Sequence, residues 1–168
     1  MKVFKRILLV LLIIFVIAQV FRSPKNLSGD TTHDISKAYA VPADVNAILT
    51  KACYDCHSNK TRYPWYAEVQ PVSWWLHGHV EDGKKDLNFN EFTTYRIAKQ
   101  FRRLEQCEEL VKKGAMPLSS YTLIHTDAKL SDAEKNTFFN WCETVRDSIR
   151  AKYPADSLIM KRPPAPKA

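Results

Sequence analysis

The sequence predicts an all-α fold, and three observations carry that expectation. Apolar residues recur at helical spacing in several stretches, Ser131 with Glu134 forms a capping box, and neither an alternating strand pattern nor an Asn-Gly hairpin occurs. The 168 residues are 45% apolar and 26% charged, enough for one globular domain with its own core and too few for a multidomain enzyme.

The elements follow in order. Lys2, Lys5 and Arg6 precede an unbroken apolar run from Ile7 to Ala18, so residues 1–21 read as a signal peptide or signal anchor. Such a segment sends the chain out of the cytoplasm, to the periplasm, and tethers it to the cytoplasmic membrane if it is not cut after Ala18. Residues 22–41 lack apolar periodicity and read as a flexible tether, with His33 in solvent. Asp44 is placed to cap a helix carrying Val45, Ile48, Leu49 and Ala52 into Cys53. Val72 to Val80 reads as a shorter helix behind Pro71. Asn88 with Glu91 predicts the start of a long helix with Ile97, Phe101, Leu104, Cys107 and Val111 on one face, stopping at Gly114. The helix opened by Ser131 sets Phe138, Cys142, Val145 and Ile149 on one stripe before Pro154. The folded unit is expected over 42–155 and a Pro-rich tail over 156–168.

Composition excludes some functions. Four glycines and no Gly-rich phosphate string argue against nucleotide binding. Setting aside the three basic residues of the first segment leaves 22 basic against 18 acidic residues, a net of +4. That is far from the dense basic face that nucleic acid requires, though it suits an acidic protein partner.

The most informative string is Cys53-Tyr54-Asp55-Cys56-His57. Structural zinc needs further paired ligands at close spacing, and Cys107 and Cys142 stand alone in sequence. A thioredoxin-like redox pair needs a βαβ setting, which a helical chain lacks. Covalent attachment of a c-type haem uses all three residues: two thiols add to the vinyl groups and the adjacent histidine faces the iron. One motif predicts one haem c, and an exported chain is in the compartment where such attachment occurs.

A soft thioether makes a good sixth ligand. Met1 and Met160 lie at the chain ends, which leaves Met116 in Lys113-Gly114-Ala115-Met116-Pro117 between two long helices. His79, beside Trp74 and Trp75, is the alternative distal ligand, while His77 and His125 read as partly buried histidines held by hydrogen bonds. Cys107 and Cys142 share faces with core residues of their helices and form a candidate disulfide.

Several further runs carry a resemblance: Ala52 to Asn59, Tyr63-Pro-Trp-Tyr66, Pro71-Val-Ser-Trp-Trp75, His79-Val80, Leu87-Asn-Phe-Asn90, and Met116-Pro117 with Tyr121, His125 and Leu130. Over roughly 45–145 the chain resembles the haem-binding-domain family of small exported bacterial mono-haem c-type proteins. The resemblance implies a cytochrome c-like helical domain, haem bound covalently at Cys53 and Cys56, and His57 as proximal ligand. Likeness to mono-haem cytochromes c generally suggests Met116 as distal ligand. Leu118 departs from the pattern, since similar proteins continue Met-Pro-Pro.

The expected function is transfer of single electrons to redox partner proteins, with no catalysis. A haem protein with an open sixth position, acting as a peroxidase or small-ligand sensor, is the alternative, because an open iron admits peroxide or a gas and a firm methionine bond does not.

Overall fold

A computed structural model describes residues 1–160; the Lys161–Ala168 stretch of the expected Pro-rich tail lies outside the described residues. The described residues form helices and 3-10 turns without a strand.

Helix α1, Lys2–Ala18, carries Lys2, Lys5 and Arg6 at its start, is apolar on every side from Ile7 onward, and buries no residue. No helix among the described residues is long and apolar enough to cross a membrane. The segment after it is not a loose tether. Asn26 is buried and donates to the Ser58 carbonyl (2.8 Å) and to Thr61 (3.0 Å), Asp34 accepts from Asn90 (2.7 Å), and Ile35 is fully enclosed in the core. Asn26 and Asp34 are buried because each finds a hydrogen-bond partner, a device that leaves no trace in hydropathy. His33 is exposed.

Helix α2, Ala43–Ala52, starts behind Pro42, and Asp44 lies inside its first turn and does not cap it. Val45, Ile48 and Leu49 are its buried face. Cys53 ends α2 and caps α3, Tyr54–His57, so the chain turns a corner at the first thiol of the Cys-x-x-Cys-His string. Helix α4, Val72–Asp86, runs six residues past Val80, where the apolar pattern stops, because Gly83 lets it lie directly on α3.

The long helix expected from Asn88 is two elements. Asn88 accepts from the Asn90 backbone and opens a 3-10 turn, Phe89–Thr94, while α5 begins only at Ile97 and ends at Lys112. Glu91 bonds to the Asn59 side chain and the backbone N–H of Asn88 donates to the Tyr95 hydroxyl, so the capping box does not close. Gly114 follows α5 at φ +68°, a left-handed conformation that favours glycine.

After Met116-Pro117 comes a helix absent from the expected elements, α6, Ser119–Ile124. The longest helix, α7, Asp132–Lys152, opens with the expected Ser131/Glu134 capping box. It packs antiparallel-fashion against α5 along Leu104 and Val111 on one side and Phe138, Val145 and Ile149 on the other. Arg146, nearly buried, pairs with Glu108 and Glu143 and lies over the Phe101 ring (5.1 Å), tying the two helices together. The Trp141 indole donates to the Ala40 carbonyl at 2.9 Å, which joins α7 to the N-terminal segment. Beyond Pro154 a further turn, Ala155–Leu158, rests on the same core through Leu158.

Candidate functional site

The Cys-x-x-Cys-His residues are presented by α3, a single turn wedged between α2 and α4. The close seat on α4 depends on one residue: a Cβ built on Gly83 would stand 2.7 Å from the Cys56 carbonyl oxygen, closer than any side chain can sit. Two backbone carbonyls of the same helix end then meet the histidine. His57 Nδ1 lies 2.8 Å from the Leu87 oxygen and 3.0 Å from the Gly83 oxygen. Carbonyls only accept, so Nδ1 carries the proton and Nε2 is left as a lone-pair donor.

Next to this turn is an apolar cavity of about 270 Å³, walled by Ile48, Leu87, Phe89, Leu110 and Phe138, with Cys53, His57 and Met116 on its surface. A smaller cavity of about 140 Å³ adjoins it. His57, Cys53 and Met116 border both, whereas His79, Asp82 and Tyr121 border only the smaller one. The two cavities form one cleft, with the thiols, the histidine and the methionine converging on it from α2, α3 and the α5–α6 loop. The Met116–Pro117 peptide bond is cis. Burial raises the Cys53 thiol well above its usual range, helped by Cys107 and Cys56 nearby, and pushes Cys56 to about 11, with the Asp55 charge adding to it. Both are thiols, not thiolates, at neutral pH.

Asp55, between the two cysteines, is nearly buried and fully engaged. Arg62 approaches it with Nε at 3.1 Å and Nη2 at 3.2 Å, and the Tyr121 hydroxyl donates to it at 2.7 Å. Tyr121 comes from α6, directly after the Met116 loop, so this hydrogen bond links the two sides of the cleft. His125 stacks on Tyr121 (4.3 Å between ring centroids) and its Nε2 is hydrogen-bonded to the Tyr66 hydroxyl at 2.6 Å. His77 lines a separate small cavity with Arg22 and Glu68, away from the cleft.

The candidate disulfide is not formed: all four cysteines are free. Cys107 lines the larger cavity beside Cys53, whereas Cys142 is fully enclosed in the core with Phe138 and Val145. Burial raises the Cys107 thiol to about 12, and raises Cys142 also, so both are protonated thiols in the folded chain.

A family model described as a haem-binding domain matches residues 13–144, more than three-quarters of the chain and all of α2 to α6. The chain belongs to the haem-binding-domain family. No curated protein and no solved structure matches it. The residues fit the group that names the family. The mainly apolar cleft, which Asp86, Arg103 and Gln106 also border, offers a flat hydrophobic ring a seat, and the Nε2 of His57 and the Met116 thioether are donors that suit haem iron.

Sequence reasoning placed Cys53, Cys56, His57, Met116 and His79 around one cleft, and the structure brings them together there. It missed Gly83, the Leu87 carbonyl, and the Tyr121–Asp55–Arg62 cluster. A glycine inside a helical stretch was the available signal for the first. Backbone carbonyls and buried hydrogen bonds have none.

Proposed function

We propose that this haem-binding-domain protein is an exported mono-haem c-type cytochrome that carries single electrons and catalyses no reaction. One observation carries the reading: the Nδ1 of His57 is committed to the Leu87 and Gly83 carbonyls, which orients Nε2 toward the cleft that Met116 also borders. Haem c, when bound, supplies a one-electron Fe(III)/Fe(II) couple.

The chain's own residues hold and tune that couple. Cys53 and Cys56 would hold the haem through thioethers at its vinyl groups, each thiol S–H adding across one vinyl double bond, and His57 and Met116 would be the donors to its iron. The hydrogen bonds on Nδ1 hold the ring's tautomer and orientation and raise its basicity as a ligand. Ile48 and Phe138, both buried, exclude water from their side of the cleft, which keeps reorganisation on electron transfer small. His79 stays outside the ligand set, its ring packed edge-on against Trp75 at 4.3 Å. An apolar α1 behind Lys2, Lys5 and Arg6 acts as export signal and anchor, leaving the domain on the periplasmic face of the cytoplasmic membrane. The small positive excess of the domain favours weak docking of an acidic redox partner.

Intact mass of protein made with a cytochrome c maturation system tests the central claim. The expected product carries one haem that survives denaturation, and the Cys53→Ala, Cys56→Ala double variant carries none. Wild-type chain at bare polypeptide mass would overturn covalent attachment.

A further inference from the structure

Where α1 meets the domain, the chain is clamped and not hinged. The Gln19 side chain accepts from the Gln70 backbone N–H at 2.9 Å, and both the Gln70 amide (2.9 Å) and the Trp74 indole N–H (2.8 Å) donate to the Phe21 carbonyl. Gln70 is fully buried, and Arg22 and Lys25 both pair with Glu68 a few residues away. Every partner in this clamp comes from residues 68–74. That same stretch and its borders present unpartnered aromatic surface, with Trp65 81% exposed, Trp75 51% and Trp74 41%, beside exposed Val72.

We infer that the face made by Trp65, Val72, Trp74 and Trp75 is a membrane-docking surface that seats in the headgroup layer while α1 is embedded in the bilayer. The inference rests on the anchor reading above and adds a fixed orientation to it. Three features select lipid as the occupant. First, α1 from Ile7 to Ala18 is apolar all round, without the polar reverse side that a helix paired with one partner helix would keep. Second, tryptophan flanked by basic residues, here Arg22 and Lys25, is the composition of the membrane interface. Third, length matters: 17 residues rise only ~25 Å against a hydrocarbon core of ~30 Å, and a short anchor is accommodated by drawing flanking residues into the interface. Val20 and Phe21, 77% and 64% exposed, follow α1 directly, and the tryptophan face is tied to them by the clamp. Because Trp75 packs on His79, which borders the haem cleft, the docked face also sets that side of the cleft toward the bilayer.

The experiment uses the full-length haem-loaded chain in vesicles and nanodiscs of phosphatidylcholine and phosphatidylglycerol. Flotation reports anchoring. Hydroxyl-radical footprinting with mass spectrometry reports exposure of Trp65, Trp74 and Trp75, with buried Trp141 as the internal standard. A second protein combines a ten-residue Gly-Ser insert between Phe21 and Arg22 with Gln70→Ala, which removes the Gln70 side-chain bond and lengthens the connection to α1, and a third carries Gln70→Ala alone. The expected result is flotation of all three proteins, with labelling of the three tryptophans several-fold slower in the wild type than in the insert variant, and an unchanged haem spectrum in that variant. Wild-type protein that does not float refutes the anchor reading and this inference with it. Protein that floats while its tryptophans label as fast as in the insert variant overturns the docked face alone.

Discussion

Gly83 touches Cys56 so closely that any larger residue would have to move one of the two helices that hold the cleft. The helix around it contains a second glycine, Gly78, whose added Cβ would meet nothing within 4 Å. The pair separates packing from helix propensity.

Gly83→Ala is therefore expected to destabilise the domain by about 1–3 kcal/mol through overpacking, and to lower the fraction of chains that acquire haem. Gly78→Ala is expected to be neutral or stabilising by about 0.5–1 kcal/mol, as alanine replaces glycine inside a helix. Thermal unfolding and intact mass of both variants check this. Equal behaviour of the two would mean that the close approach of α4 to α3 is not required.

Met116→Ala is expected to convert a low-spin ferric spectrum to high-spin, open the iron to cyanide at least tenfold faster, and lower the reduction potential. His79→Ala is expected to leave the spectrum low-spin. The reverse pattern would assign the distal position to His79.

Tyr121→Phe removes one of the groups bonded to the buried Asp55 carboxylate while Arg62 keeps its contacts. The expected cost is about 1–2 kcal/mol, seen as a melting temperature lower by roughly 2–8 °C for a chain of this size. Because the same bond ties α6 to the attachment turn, the variant should also bind cyanide faster than wild type. An unchanged melting temperature would show that the bond carries no stability.

Glu134 is held down to about 2 by the Lys51 ammonium and by the backbone N–H of Ser131, below its ordinary value of 4.5. A depressed carboxylate pKa contributes stability that is complete above about 4.5 and is lost as pH falls toward 2. Glu134 is one-third exposed, so solvent screening keeps the contribution small. Glu134→Gln is expected to cost about 0.5–1 kcal/mol at pH 7, with the gap to wild type closing between pH 4.5 and 2. Denaturant unfolding at a series of pH values measures it, and a gap independent of pH would place the effect elsewhere.

Cys107 and Cys142 should both remain reduced in the haem-loaded protein, as both are buried protonated thiols. Thiol counting under denaturing, non-reducing conditions should find two per chain. A count of zero would mean that the two helices are bridged after all.

Much of this architecture was legible in the residues. The stripes of α5 and α7 and the Ser131/Glu134 box announce themselves because apolar burial and capping leave periodic marks. The site was legible wherever its chemistry is carried by rare side chains, as with Cys53, Cys56, His57 and Met116. It was hidden wherever polar groups satisfy each other. Asn26, Asp34, Asn59 and Asn90 look like loop residues, yet the bonds among Asp34, Asn59 and Asn90, and those of Asn26 to Ser58 and Thr61, bring residues 22–41 onto the core. The extension of α4 to Asp86 was hidden too, since Gly83, Lys84 and Lys85 present no stripe.

The bond from the Trp141 indole to the Ala40 carbonyl joins residues 101 apart in the chain. A polypeptide emerges N-terminus first, so Ala40 and the attachment turn wait for most of the remaining chain before α7 can arrive. Until then Phe138 is missing from the cavity wall, and the cavity that Cys53 and His57 line is uncovered on that side. The order of synthesis thus leaves that wall of the cleft open for an interval, and the docking of α7 closes it. A shorter chain that stopped before Phe138 would keep that interval open indefinitely, at the expense of a dry cleft.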